Sequence, residues 1–269
     1  MADGPSERDL AEIGVIGGSG FYSFLDDARE VEVDTPYGPP SDPIAVGEVA
    51  GRRVAFVARH GKGHRLPPHQ VPYRANVWAL RSLGVRQILA PSAVGSLRID
   101  LPPGSIVVPD QLVDRTSGRH QTFHETGAGH VAFADPYCPR GRQTVLAEPG
   151  DVVDGGALVV IEGPRFSTRA ESQWYARQGW SLVGMTGHPE AVLARELALC
   201  YTTIALVTDL DAGVAPGEEV HQAEVLRVFG ENIERLKSLL VGAIGALSAE
   251  RDCPCPHALD DIDLGFALP

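Results

Sequence analysis

The chain has little lysine, methionine or cysteine. Only Lys62 and Lys237 are lysines among its 23 basic residues, and 35 acidic residues outweigh them, for a formal net charge of −12. A sequence-independent nucleic-acid surface needs a basic face, and an anionic membrane attracts cations, so neither is expected as a partner. The longest apolar runs are about eight residues, against the roughly 20 of a spanning helix. The opening MADGPSERDLAE has neither a basic n-region nor an apolar h-region, so no signal peptide is read and the cytoplasm is the expected location. Four cysteines in 269 residues are too sparse for a disulfide scaffold. The Cys253-Pro254-Cys255 pair reads as two incidental thiols on a solvated tail, with a local redox link as the alternative. A hydrophobic content of 43% excludes disorder as the main state, and a chain of this length still closes around one core.

Apolar runs alternate with amphipathic segments. Strands are expected at Glu12–Gly17, Pro43–Val49, Arg53–Ala58, Gln87–Ala90, Ser105–Pro109, Ala157–Ile161, Ser181–Gly184 and Thr203–Val207. Several are continuously apolar, as strands buried on both faces are. Helices are expected over Pro72–Leu83, Arg169–Gln178, Pro189–Leu199 and Gln222–Ala249. Thr168 with Glu171 forms a capping-box pattern, and Pro189 suits a first helical turn. The alternation predicts an α/β fold. The division expected is a flexible N-terminus over residues 1–11, one domain over 12–250 and a tail or extended arm over 251–269. Thr116–Arg142 lacks periodicity, and a loop of that length inside a compact domain is usually functional or at an interface.

In open α/β sheets ligands bind beyond the carboxyl ends of strands, and nearly every strand here is followed by small, hydroxyl or charged residues. Gly17-Gly18-Ser19-Gly20 lacks the remainder of a dinucleotide or P-loop signature; an anion-holding turn and a plain tight turn both fit it. Arg59–Arg65 reads RHGKGHR, a local reversal of sign that suits a phosphate-like anion, with a solvated basic loop as the alternative. Ser92-Ala93-Val94-Gly95-Ser96 and Thr186 offer neutral donors or plain turns. Asp209 and Asp211 stand two residues apart on an extended chain, so their side chains share a side. Like charges that close push one pKa upward, which suits a carboxylic acid donating to a leaving group. No His/Asp pattern for a hydrolytic metal site lies nearby, so no metal is expected there.

Taken together, IGVIGGSGF (13–21), ARHGKGHRLPPHQVPYRANVWAL (58–80), SAVGSL (92–97), PGSIVVPDQLVDRTSGR (103–119), IEGPRFSTRAES (161–172), GMTGHPEAVLARE (184–196) and TDLD (208–211) resemble the trimeric purine nucleoside phosphorylase family, most closely its 5′-methylthioadenosine phosphorylase branch. The resemblance spans roughly residues 12 to 250. It implies a single α/β domain with a central mixed twisted β-sheet flanked by helices, of the phosphorylase/hydrolase-like kind, and a homotrimer. It implies phosphorolysis, with phosphate as co-substrate and no cofactor. Phosphate would be held by Ser19, Arg59, His60, Ser92, Ala93 and Thr186. Phe166 would stack on the purine, Ser167, Asp209 and Asp211 would line its edge, and Met185 would cover the ribose, with Asp209 the catalytic donor at N7. The 6-oxopurine branch looks to carry Asn at the position of Asp209 and Glu at that of Ser167, so adenine is the expected leaving base. The 5′ pocket would include Gln222, Val225 and, from the long loop, His130, which in the family reaches a neighbouring subunit's site. The branch has two valines where this chain has Gln222 and Val225, so adenosine or another 5′-modified adenosine is an alternative substrate, and a 6-oxopurine nucleoside phosphorylase is the separate runner-up reading. His188 is expected to be structural.

Overall fold

The structure is a computed structural model that describes residues 10–18, 25, 28–127, 129–215, 217 and 219–269. Its elements are β1 (Ile13–Gly17), β2 (Arg29–Val31), β3 (Ile44–Val49), β4 (Arg52–Ala58), α1 (Tyr73–Ser82), β5 (Gln87–Ser96), β6 (Ile106–Val108), β7 (Gln111–Arg115), α2 (Pro139–Ala147), β8 (Val152–Asp154), β9 (Ala157–Ile161), α3 (Arg169–Arg177), β10 (Leu182–Gly184), α4 (Gly187–Glu196), β11 (Cys200–Leu210) and α5 (Gln222–Ala246). All eleven strands join one mixed sheet, with β2-β3-β4-β1-β5-β10-β9-β7 in order and β11, β6 and β8 branching from β5.

The sheet is α/β because its central strands are apolar on both faces. β1 is buried along its whole length, as are β10 and the first nine residues of β11. Helices cover the two faces. Val77 and Leu80 of α1 share one core with Leu193 and Ala194 of α4, whereas Leu236, Leu240 and Ile244 of α5 share another with Ile13, Val15 and Ile204. The apolar stripe at helical spacing in α5 is thus its inner face.

The strand that positions the site is β5, and it forks the sheet. Residues 87–89 pair with β1, whereas Gly95 and Ser96 pair with β10. β11 runs along the opposite edge of β5 for its full length. Between the β1 and β10 pairings, around residues 90–94, no strand pairs that edge among the described residues. Ser92–Ser96, expected as a strand-end turn, instead continues the strand, and the fork rather than a turn exposes its backbone. The ladder from β5 to β11 also slips between Val207 and Asp209. Such a bulge rotates the following side chain.

Three further differences from the sequence reading have local causes. α2 was hidden in an Arg- and Gly-containing stretch, and its cap is a thiol: Cys138 Sγ accepts from the Gly141 N–H at 3.4 Å. α4 is broken at His188, whose φ and ψ of −116° and 132° are extended, so its helical part does begin at Pro189. The C-terminal segment is no extended arm. Cys253 and Cys255 are buried, and Phe266 packs against Trp78 and Phe123. No helix of the described residues is long and apolar enough to cross a membrane.

Candidate active site

A cavity of about 430 Å³ opens where β5 forks. Its floor is Ser92–Gly95, and its walls come from Gly18 after β1, Arg59–His60 after β4, Phe166–Ser167 before α3, Met185–Thr186 after β10, Asp209 and Asp211 at the end of β11, and the first turns of α5. Strand ends supply most of the lining, as the rule for α/β sheets requires.

Arg59 is almost completely buried, with 1% of its surface exposed. Its Nε donates to Glu190 Oε1 at 2.5 Å and its Nη2 to Glu190 Oε2 at 3.0 Å, while Nη2 also reaches the Ile16 carbonyl and Nη1 the Pro91 carbonyl. Burial opposes the guanidinium charge, and the bidentate pair with Glu190 outweighs that opposition and keeps it protonated. Four of its five N–H groups are thereby committed. Nη1 has one more to offer, on the side of Gly18, where an added Cβ would stand 3.5 Å away. Tyr201 Oη donates to the same Glu190 carboxylate at 2.8 Å, so the acid that aims Arg59 is itself fixed by β11.

This revises the basic-loop reading. Arg59 is neutralised by Glu190, and Arg65 pairs with Asp42 at 3.2 Å. Burial, then the Arg59 charge, pushes the His60 imidazole down to about 3, and burial lowers His64 too. Lys62 is exposed and outside the cavity lining. The pocket is therefore a set of fixed donors and neutral rings rather than a concentration of positive charge. His60 Nδ1 lies 2.9 Å from the Leu66 carbonyl, which can only accept, so Nδ1 carries the proton and Nε2 presents a lone pair. That lone pair suits the hydroxyl of a monoprotonated oxyanion.

At the other end Asp209 and Asp211 share the lining. Burial raises the Asp209 carboxyl to about 6; a hydrogen bond from Thr208 Oγ1 to Asp209 Oδ1, 2.8 Å, opposes the rise and the neighbouring Asp211 adds to it. Charge proximity was expected to be the main cause; desolvation is the larger one. Burial likewise raises Asp211. The Ser167 and Ser172 hydroxyls and the Ala212 backbone draw it partway back, yet Ser167 Oγ and Asp211 Oδ2 are buried polar atoms with no partner at hydrogen-bonding geometry among the described residues. Two orphaned atoms lining one cavity are what a polar ligand edge would satisfy. Asp209 Oδ2 crosses directly above Gly95, where an added Cβ would lie 2.9 Å from it, so only glycine leaves the carboxylate that path.

Phe166 and Met185 line the stretch between these ends. The expected capping box forms: Glu171 N–H donates to Thr168 Oγ1 at 3.2 Å and Thr168 N–H to Glu171 Oε2 at 2.7 Å, anchoring the chain just after Ser167. Met185 sits against Gly163, whose φ of +65° favours glycine and whose would-be Cβ would stand 2.7 Å from Met185 Sδ. Arg119 donates to the carbonyls of Met185 and His188 at 2.8 Å and of Glu162 at 2.7 Å, tying the long loop to the cavity wall.

These residues and this topology have counterparts. The family model described as "Phosphorylase superfamily" matches residues 12–245. The chain belongs to the phosphorylase superfamily. It is 61% identical to a purine nucleoside phosphorylase of Streptomyces coelicolor, over 96% of this chain and 98% of the relative. It is 60% identical to the S-methyl-5′-thioadenosine phosphorylase of Mycolicibacterium smegmatis, over 96% and 99% of the two chains. Among solved structures it superposes with a TM-score of 0.85, at 42% identity over 95% of this chain and 93% of the other, on a methylthioadenosine phosphorylase sourced from an antarctic soil metagenomic library.

Of the residues singled out from sequence, this phosphorylase brings Arg59, His60, Ser92, Ala93, Phe166, Ser167, Met185, Thr186, Asp209, Asp211, Gln222 and Val225 to one cavity. Ser19 lies outside the described residues. His130 is exposed and is not in the lining of its own chain's cavity. His188 is buried and outside the lining, with its Nε2 2.8 Å from Gln121 Oε1 and 3.3 Å from Asp114 Oδ2. Sequence reasoning missed Glu190, Arg119, Leu226 and Phe229. The first two sit inside quoted motifs without a spacing of their own. The last two continue the stripe begun by Val225 and could have been found from it.

Proposed function

We propose that this phosphorylase cleaves the N-glycosidic bond of 5′-deoxy-5′-(methylthio)adenosine, or of a closely related 5′-modified adenosine, with inorganic phosphate. The products are adenine and 5-(methylthio)ribose 1-phosphate, which makes the enzyme a pentosyltransferase of purine and methionine salvage. The observation that carries the reading is the polarity of the cavity: a raised, buried carboxyl at one end, fixed hydrogen-bond donors at the other, and an aromatic ring and a thioether in the lining with them.

Phosphate would rest against Ser19, Arg59, His60, Ser92, Ala93 and Thr186, its hydroxyl facing His60 Nε2. Its oxygen forms the new bond at C1′ as the bond to purine N9 breaks, and the electron pair of that bond leaves with the base. The sugar gains cationic character that the phosphate dianion offsets. The purine gains negative charge, offset by the proton that Asp209 supplies at N7. Asp211 Oδ2 and Ser167 Oγ, buried without a hydrogen-bond partner among the described residues, would receive the rest of the base edge. A carboxyl that donates to N7 can also accept from a 6-amino group, whereas a 6-oxo group would oppose a carboxylate. Phosphate is a co-substrate here, and no metal or other cofactor enters the chemistry.

The 5′ end would meet Gln222, Val225, Leu226 and Phe229. Three of these four are apolar, which supports a methylthio substituent. The polar Gln222 and the relative named purine nucleoside phosphorylase favour adenosine or a 6-oxopurine nucleoside as the second reading. A panel of methylthioadenosine, adenosine and inosine, each with and without phosphate, separates them. Methylthioadenosine is expected to give the highest kcat/KM, with adenine release dependent on phosphate. Faster inosine cleavage would remove the Asp209 argument for base choice, and phosphate-independent release would make the enzyme a hydrolase.

We also propose a cytoplasmic homotrimer in which exposed His130 reaches the 5′ pocket of a neighbouring chain. Light scattering should read the mass of three chains; a monomer would leave His130 without that role.

A further inference from the structure

The four cysteines of the chain come from three distant stretches and meet at one point. Cys138 precedes α2, Cys200 opens β11, and Cys253 and Cys255 lie in the C-terminal segment. All four are buried unpaired thiols, and together they form a cluster of their own, apart from the apolar cores. Their sulfurs all lie within 4.8 Å of one another; Cys138 to Cys253 is 3.7 Å and Cys200 to Cys253 is 3.5 Å. A tetrahedral Zn²⁺ with Zn–S bonds of about 2.3 Å sets its ligand sulfurs about 3.8 Å apart. Packing of small hydrophobic thiols would account for four separate burials but requires no convergence on one centre.

We propose that Cys138, Cys200, Cys253 and Cys255 hold one zinc ion as a closed structural Cys₄ site. Thiolates are the ligand type that selects zinc over the hard divalent cations. Four thiolates and one Zn²⁺ leave a net negative charge, and the surroundings answer it: the N–H of Gly141, in the first turn of α2, already points at Cys138 Sγ. The site's task follows from its ligands. It clips the C-terminal segment to the start of β11 and the start of α2, where an Arg140–Asp252 ion pair fastens the same segment from outside. The metal is outside the nucleoside cavity, whose lining includes no cysteine.

The test is metal analysis of the full-length protein expressed with zinc in the medium and purified without chelator. One zinc per chain is expected, and four thiols should be needed to release it when a mercurial titrates the wild-type protein beside a zinc-binding dye. Cobalt exchanged into the site should show the charge-transfer and ligand-field bands of tetrahedral thiolate coordination. Cys255→Ser and Cys138→Ser should each lose the zinc and melt at a lower temperature. Metal-free protein with four titratable thiols, or with its cysteines oxidised to disulfides, would overturn the proposal. So would zinc retained in both serine variants, or another metal in its place. The wild-type titration decides the question even if the serine variants do not fold.

Discussion

Asp209→Ala should lower kcat by roughly 10²- to 10⁴-fold, the range for losing a positioned general acid. The loss should fall on kcat more than on KM, because the proton is needed only as charge develops on the leaving purine. The pH profile provides a second reading. The Asp209 carboxyl is raised to about 6, so the free enzyme holds the donating proton below that value and loses it above. For wild type, kcat/KM should therefore fall as pH rises through about 6, and that limb should vanish in Asp209→Asn. Stability separates a chemical role from a structural one. A carboxyl whose folded pKa is raised above its unfolded value opposes folding once pH exceeds the unfolded value, with the cost fully present above about 6. Asp209→Asn removes this cost, so at neutral pH its Tm should hold or rise while activity collapses. An unchanged kcat, or a fall in Tm matching the loss of activity, would take Asp209 out of the reaction.

Glu190→Ala should be the most destabilising single change in the site. It strands the Arg59 guanidinium in the core, and breaking a buried pair this way costs about 3–5 kcal/mol. For a chain of this size that is a drop in Tm on the order of 10 °C. Phosphate KM should rise as well, since nothing would then aim Arg59. The double variant Arg59→Met/Glu190→Leu distinguishes the two effects. Replacing both charges with apolar groups should recover much of the Tm, and phosphate affinity should stay poor. Recovery of both would show that the pair serves packing alone.

What could be read from the sequence divides along physical lines. β1 and β9 were legible because short continuous apolar runs closed by glycine-containing turns have few other solutions, and α3 because Thr168 and Glu171 carry their cap in local spacing. Asp209 and Asp211 were legible because two carboxylates at period two on an extended chain must be neighbours. The fork in β5 was not, because pairing to β1 and β10 is decided by residues far away in the chain. Ser92–Gly95 looks like a turn for the same reason that it suits a cavity floor: its side chains are small. Glu190 is one glutamate in a helical turn, and only the tertiary fold puts Arg59, 131 positions earlier, within 2.5 Å of it. The C-terminal segment misled most. Aspartate and proline near Cys253 suggest solvent, and the partners that bury it are elsewhere in the sequence.

The fork in β5 also fixes a length. Ser92 stands opposite Ala205 and Gly95 opposite Asp209 on the neighbouring strand. Three residues of extended chain separate the two levels, about 10 Å at the usual strand rise. In the proposed reaction the nucleophile's seat and the leaving group's proton donor would be two marks on one ruler, their backbone levels set by the hydrogen-bonded ladder between β5 and β11. The spacing of the two backbone levels is one that no side-chain rotation can stretch, so only the last few ångströms at each mark, such as the reach of the Asp209 carboxyl, depend on a rotamer.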